Sequence, residues 1–299
     1  MHGARREAAT STSSLGFVGL GRMGGPMSGR LVAAGYEVVG FDVAGTAERL
    51  PPGAAAATSV ADVARRADVV CLSLPDGAAS RAVCGEIGAA AGRRATTVVD
   101  FSTIGIPAAR DCAETLGAAG VGYLDAPVSG GLAGARQGTL AVMVGASEVA
   151  FAAVEPLLAV VAANRFRVGD RAGQGQAMKL ANNFLGAVAL AATSEAALFG
   201  ARQGLDLRQM IDVLNVSSGK NGATLDKFPR SVVPGTYDYG FAAALMAKDV
   251  TLYQESAAAA GTPDDLGELA AAIWQRFDAA CPGVDFTYIY EWLKGGSGA

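Results

Sequence analysis

The sequence predicts an α/β protein, a doubly wound parallel sheet followed by an all-helical C-terminal domain. Three observations carry this reading. From Leu15 to about Val168, short apolar runs alternate with longer amphipathic ones, as strands and helices do around a parallel sheet. After Gly173 the strand signals stop and helical periodicity alone continues. With 299 residues, 51 % of them hydrophobic, the chain has enough apolar material for two ordinary domains, and its pattern changes near Gly173.

The expected strands are Leu15–Val18, Glu37–Phe41, Asp68–Leu74, Thr96–Phe101, Val121–Asp125, Leu140–Val144 and Arg165–Val168. Between them fall helices over Met23–Ala34, Ser59–Arg66, Ala78–Gly88, Pro107–Ala119 and Ser147–Val160. Ser59 and Ser147 are suited to cap their helices, because a serine hydroxyl accepts from an orphan amide of the first turn. Pro107 near one helix start and Gly120 past its end fit the usual asymmetry of helix termini. The second half reads as helices over Gln174–Gln203, Leu207–Val216, Phe241–Ala260 and Pro263–Ala279. This divides the chain into a disordered tail (1–13), an α/β domain (14–173) and a helical domain (174–299) that opens on a long interdomain helix. Gly295 to Ala299 reads as a flexible finish.

Composition removes several chemistries. The one histidine is His2, in the tail, so no imidazole base or histidine metal ligand is expected in the folded body. No metal site is expected. Cys71, Cys84, Cys112 and Cys281 form no C-x-x-C pair and sit in apolar surroundings, which reads as reduced core thiols in a cytoplasmic protein. A formal charge of -4 gives no basic field for nucleic acid. The charge-free stretch between Lys179 and Glu195 is too short to span a bilayer and contains Asn182, Asn183, Thr193 and Ser194, so a buried helix is expected there and no membrane. The N-terminus has Arg5 and Arg6 but no apolar run behind them, and reads as a plain tail in preference to a leader.

Three motifs carry chemistry. Gly19-Leu20-Gly21-Arg22-Met23-Gly24 stands between a strand and a helix, where glycines permit a tight turn and close approach of a pyrophosphate to a helix N-terminus. Asp42 ends the next strand, 23 residues beyond Gly19, where a carboxylate accepts from the adenine ribose hydroxyls. Together these define a Rossmann-type dinucleotide site. A carboxylate repels a ribose phosphate and no arginine follows Asp42 until Arg49, so NAD is expected over NADP; a helix cap is the other reading of Asp42. In Asp125-Ala-Pro-Val-Ser129-Gly130-Gly131, two glycines after a serine at a strand's carboxyl end can form an anion nest, or a plain turn. In Gly173-Gln-Gly175-Gln-Ala-Met-Lys179-Leu-Ala-Asn-Asn183, Lys179 and Asn183 are i and i+4 on one face of the interdomain helix. A solvated or snorkelling lysine has the same pattern, but a place between two domains favours a desolvated amine.

These stretches, with Leu245-Met-Ala-Lys-Asp249, together resemble the β-hydroxyacid dehydrogenases, the family of 3-hydroxyisobutyrate dehydrogenase, over about 280 residues. The resemblance implies that Lys179 is the acid/base for the substrate oxygen and that Asn183 helps to hold substrate and lysine. It implies that Ser129, Gly130 and Gly131 bind a carboxylate. It implies that Gly19, Leu20, Gly21, Met23, Gly24, Asp42, Leu74, Pro75, Thr103 and Lys248 line the cofactor, Lys248 reaching it from the helical domain. The implied reaction is NAD-dependent oxidation of a short 3-hydroxy carboxylate to its semialdehyde, or the reverse, by a homodimer or homotetramer. Tartronate or succinic-type semialdehyde reduction, imine reduction and non-catalytic dinucleotide sensing are the alternatives; Lys179 speaks against the last two. Asn215–Asn221 and Ala223–Pro229 fall where the family shapes its pocket, leaving Lys220 either a second anion contact or a solvated loop residue.

Overall fold

The computed structural model describes residues 14–296. The expectations for residues 1–13 and for the last three residues lie outside that range. The first half builds one sheet from β1 (Leu15–Val18), β2 (Val38–Phe41), β3 (Ala55–Ala56), β4 (Val69–Leu72), β5 (Thr97–Asp100), β6 (Gly122–Asp125), β7 (Val128–Ser129), β8 (Leu140–Gly145) and β9 (Ala162–Gly169). Their order is β3-β2-β1-β4-β5-β6-β8-β7, with β9 on the other edge of β8. The pairings from β3 to β6 and of β8 with β9 are parallel. Those of β8 with β6 and β7 are antiparallel, so the sheet is mixed where a parallel one was expected. The reversal falls between β7 and β8, where the short segment carrying α5 (Gly131–Gln137) brings the chain back alongside β7 in place of a crossover to a parallel position.

The helices of this half are α1 (Gly24–Ala33), α2 (Val60–Arg66), α3 (Gly77–Ala89), α4 (Ile106–Ala118), α5 (Gly131–Gln137) and α6 (Glu148–Val161). Residues of α1, α5 and α6 bury Met27, Leu31, Ala135, Leu157 and Leu158 on one side of the sheet. Those of α2, α3 and α4 bury Val63, Ile87, Ala109 and Leu116 on the other. Covered on both faces, β1 reads as an unbroken apolar run, Leu-Gly-Phe-Val, with every residue buried. Ser59 and Ser147 cap α2 and α6 by accepting from Asp62 N and Ala150 N, as expected. Asp76 does the same for α3. The two-residue strands β3 and β7 and the glycine-rich α5 have no periodic signal and were not expected.

The second half contains α7 (Gln174–Arg202), α8 (Leu207–Asn215), a π-helix (Ala223–Val232), α9 (Ala243–Ala260), α10 (Asp265–Ala280), a 3-10 turn (Phe286–Tyr288) and α11 (Ile289–Lys294). Its core centres on Trp274, Phe228, Phe277, Phe286 and Tyr290. The π-helix, the 3-10 turn and α11 are additions to the four expected helices. By length and composition alone α7 is long and apolar enough to cross a membrane. Only part of it is buried, however, and the expectation of a buried helix needs correcting. One face enters the core through Leu180, Ala187 and Leu190, while Leu185 and Phe199 stand 66 % and 70 % exposed on the other.

Candidate active site

The loop between β1 and α1 is shaped by what its glycines exclude. Gly19 has a φ of +89°, and a Cβ there would run into the Ser73 carbonyl. A Cβ at Gly24 would run into the Gly19 carbonyl and separate α1 from β1. Gly21 faces open space, leaving a path along the N-terminus of α1. These residues fit a dinucleotide, since the loop leads into a helix N-terminus and Gly21 leaves open space beside it for a pyrophosphate. Leu20 N donates to Asp42 Oδ2 at 2.8 Å, so the loop and the end of β2 are joined by the carboxylate itself. Met23 is the residue before α1.

Asp42 caps no helix. Its Oδ1 accepts from Ala44 N at 2.8 Å and lies 3.2 Å from Arg49 Nη1. The sequence placed Arg49 seven residues away and assigned it nothing; folded, its guanidinium stands on the same carboxylate.

Leu74 and Pro75 follow β4, which ends two residues sooner than expected. Leu74 N donates to Ser102 Oγ at 2.8 Å, tying this loop to the one after β5. Lys248, from α9, donates to Thr103 O at 2.6 Å and to Pro75 O at 3.3 Å. The structure therefore gathers three expected cofactor-side residues, Pro75, Thr103 and Lys248, at the carboxyl ends of the strands.

The start of α7 is held by a carboxylate from the sheet. Asp125 Oδ1 accepts from Gly173 N at 3.0 Å and Oδ2 from Gln176 N at 2.8 Å, satisfying amides that a helix start leaves orphaned. Burial is the main influence on this carboxyl and pushes it up to about 6, against these two bonds. A Cβ at Gly175 would stand 2.8 Å from Asp125 Oδ2 and collide with the Met143 carbonyl, which explains the second glycine of the motif.

One turn on, Lys179 is buried, 6 % exposed. Burial lowers its amine from the ordinary value; Asp249 pulls it up and Lys248 pushes it further down. Asp249 is buried too, its Oδ1 3.3 Å from Lys248 Nζ. Asn183 donates to Asp249 Oδ2 at 2.5 Å and accepts from Asn182 Nδ2 at 3.0 Å. Asn183 thus engages the carboxylate beside the lysine, and among the described residues no hydrogen bond joins it to Lys179.

Ser129 ends β7, paired with Ala141 of β8, and Gly130 and Gly131 follow with φ of +125° and +61° at the start of α5. The region is a strand and a short helix, not a plain turn. It adjoins the strand β8 on which the first turn of α7 rests, and makes no direct bond to Lys179. Lys220 is exposed on the turn after α8 and forms no ion pair among the described residues. Asn221 beside it bonds Thr193 of α7.

Asp249, Gln176, Asp125 as a helix cap, and Arg49 were missed as site residues. Asp249 had a signal, an acid next to Lys248 on the buried stripe Met246, Ala247 and Val250 of α9. Asp125 and Gln176 act across long sequence separations, and Arg49 reaches Asp42 from seven residues away only because the loop after β2 folds back.

A glycine-rich loop at a helix start, a carboxylate at the end of the next strand and a buried lysine near the start of α7 are the frame of a dinucleotide-dependent oxidoreductase. Comparison with known proteins narrows this. Residues 14–169 match the NAD-binding domain of 6-phosphogluconate dehydrogenase, and residues 173–298 the NAD-binding domain of NADP-dependent 3-hydroxyisobutyrate dehydrogenase. The probable 3-hydroxyisobutyrate dehydrogenase of Mycobacterium bovis is 37 % identical over 290 residues, 94 % of this chain and 98 % of that protein. The mitochondrial 3-hydroxyisobutyrate dehydrogenase of Homo sapiens is 36 % identical over 298 residues, 96 % and 88 % of the two chains. The structure of Mycobacterium tuberculosis 3-hydroxyisobutyrate dehydrogenase with L-serine superposes with a TM-score of 0.87 at 36 % identity, covering 95 % of this chain and 99 % of that one. The chain belongs to the β-hydroxyacid dehydrogenase family.

Proposed function

We propose that the protein oxidises the alcohol of a short 3-hydroxy carboxylate of the 3-hydroxyisobutyrate type to its semialdehyde, or reduces the semialdehyde, with NAD as the preferred cofactor. The observation that carries this reading is Lys179, an amine buried between the domains with Lys248 and Asp249 beside it. The bound nicotinamide supplies the hydride acceptor or donor. Lys179 Nζ takes the alcohol proton during oxidation and returns it during reduction, because burial makes the neutral amine available nearer to neutral pH than an exposed lysine would be. Ser129, Gly130 and Gly131 receive the substrate carboxylate at the start of α5, where left-handed glycines turn amides outward. Asn183 fixes Asp249 so that one buried charge faces the lysine in one geometry. Gly19, Leu20, Gly21, Met23 and Gly24 hold the pyrophosphate, Asp42 the adenine ribose, and Leu74, Pro75, Thr103 and Lys248 the nicotinamide side.

L-serine, present with the Mycobacterium tuberculosis relative, is itself a 3-hydroxy carboxylate, and both the human and mycobacterial relatives are named for 3-hydroxyisobutyrate. The buried thiols of Cys71, Cys84 and Cys112 agree with a reducing, cytoplasmic setting. The exposed apolar face of α7, with Leu185 and Phe199, supports a homodimer or homotetramer, for which a monomer in light scattering is the contrary result.

The experiment is turnover of a panel of 3-hydroxy acids with NAD and NADP, alongside Lys179→Ala. Turnover in the variant is expected to fall by on the order of a hundredfold or more, with NAD affinity nearly kept. Near-normal turnover would remove Lys179 from the chemistry.

A further inference from the structure

Gln176 takes no part in the roles assigned so far, yet it is the most completely bonded polar side chain at the junction of the two halves. It is fully buried. Its Oε1 accepts from Ile104 N at 2.9 Å and from Gly105 N at 3.2 Å, and its Nε2 donates to Ser102 O at 3.0 Å. All three partners belong to the loop between β5 and α4, and between them sits Thr103, whose carbonyl accepts from Lys248 Nζ at 2.6 Å. Gln176 and Lys179 are i and i+3, neighbours on one helical face.

We propose that Gln176 is a positioning residue for proton transfer: by clamping Ser102–Gly105 it holds the Thr103 carbonyl, and through it the Lys248 ammonium, at a set distance from Lys179. An amide is suited to the task because one group supplies both an acceptor and a donor and stays neutral at every working pH. An ionised carboxylate would repel Ser102 O, and a lysine could not accept from Ile104 and Gly105. The charged groups facing Lys179 are Asp249 and Lys248, both from α9, and they act in opposite directions. If the loop is released, Lys248 loses its 2.6 Å bond to Thr103 O, and its partly exposed side chain is free to move toward water, held only by Pro75 O and Asp249. The downward push on Lys179 then weakens against the pull of Asp249.

This inference rests on Lys179 being the acid/base, and its test separates the two. The chain has five lysines, Lys179, Lys220, Lys227, Lys248 and Lys294, few enough for each ε-carbon to be followed by NMR in the uniformly lysine-labelled apo-protein, Lys179 being assigned from the signal missing in Lys179→Ala. In Gln176→Leu, Lys179 is expected to titrate about one pH unit higher than in the wild type, with Lys220 and Lys294 unmoved. The pH profile of kcat with 3-hydroxyisobutyrate should move by the same amount. Lys248→Met should raise the Lys179 titration similarly, and the double variant should add nothing further, since both changes remove one cation. Gln176→Leu leaves two buried amides without partners, so if it fails to fold Gln176→Asn, too short to reach the loop, is read in the same way. An unchanged or lowered Lys179 titration in a folded variant, or full additivity with Lys248→Met, overturns the inference. Turnover that survives in Lys179→Ala overturns the acid/base reading instead, whatever Gln176 does.

Discussion

The two halves of this molecule fill their interiors and meet their ligands by different means. In the first half the core is aliphatic, Val, Leu, Ile and Ala from strands and helices on both faces of a sheet, with Phe17 and Phe101 as its one stacked aromatic pair among the described residues. In the second half rings do the filling: Trp274 against Phe277 and Phe286, Phe228 against Tyr290, Phe184 against Tyr253. A pleated sheet offers regular shallow gaps that β-branched and small residues fit, whereas helices crossing at varied angles leave larger ones that suit aromatic side chains. The functional groups divide the same way. The first half presents backbone, through Gly19, Gly21, Gly24 and the Thr103 carbonyl. The second presents ionisable side chains, and all five lysines of the chain lie in it. A dinucleotide can be held by fixed amides, but the alcohol proton needs a group that changes charge, and burial tunes such a group best inside a helical core.

Asp125 is the residue where this division is most open to being broken, because it belongs to the first half and holds the second. Its native carboxyl is raised to about 6 from 3.8, so between those values the folded protein binds more protons than the unfolded chain. Stability from this group is therefore full below pH 4 and lost as pH rises through 6. The stability difference between wild type and Asp125→Asn, measured by urea unfolding, is expected to narrow by up to about 3 kcal/mol between pH 4 and pH 7, at 1.36 kcal/mol per unit. A gap that widens would mean that the amides of Gly173 and Gln176 outweigh burial, making Asp125 a firm anchor at neutral pH.

The halves were unequally legible in the sequence for the same physical reason. Backbone recognition demands glycine at particular local spacings, so Gly19, Gly21, Gly24 and the following Asp42 could be read from one short stretch. Lys179 was legible as a charge on an apolar helical face. Asp125 to Gly173, and Gln176 to Ile104, are contacts 48 and 72 residues apart, and nothing local announces them. The π-helix over Ala223–Val232 was also missed, since Pro229 inside it reads as a break and its wider turn matches neither helical nor strand period. Seven strands were found because each carries an apolar run of its own, buried on both faces in β1, β4 and β5 and only partly in the edge strand β9; the two-residue β3 and β7 exist only through their neighbours.

Arg49 sharpens the comparison from the other side, as a side chain that acts within the backbone-dominated half. Its guanidinium rests on Asp42, and it is partly exposed, so its pairing is weak and easily exchanged for a ribose phosphate. In Arg49→Ala, NADP affinity measured by calorimetry on the apo-protein is expected to fall about fivefold, matching roughly 1 kcal/mol, while NAD affinity holds or improves as Asp42 is freed. Equal losses for both cofactors would mean that Arg49 only orders the loop.

Lys220 gives the smallest effect and the cleanest control on what makes a lysine functional here. It shares the helical half with Lys179 and stands in the segment that the family resemblance places near the pocket, yet it is exposed and unpaired among the described residues. If burial is what converts an amine into a working acid/base, an exposed lysine 41 residues further on should contribute only a screened, distant charge. Lys220→Ala is expected to change the KM for both 3-hydroxyisobutyrate and a dicarboxylic analogue by threefold or less, with kcat unchanged. A larger loss confined to the dicarboxylate would place Lys220 at a second anion contact, and the helical half would then select its substrate with an exposed cation as well as transform it with a buried one.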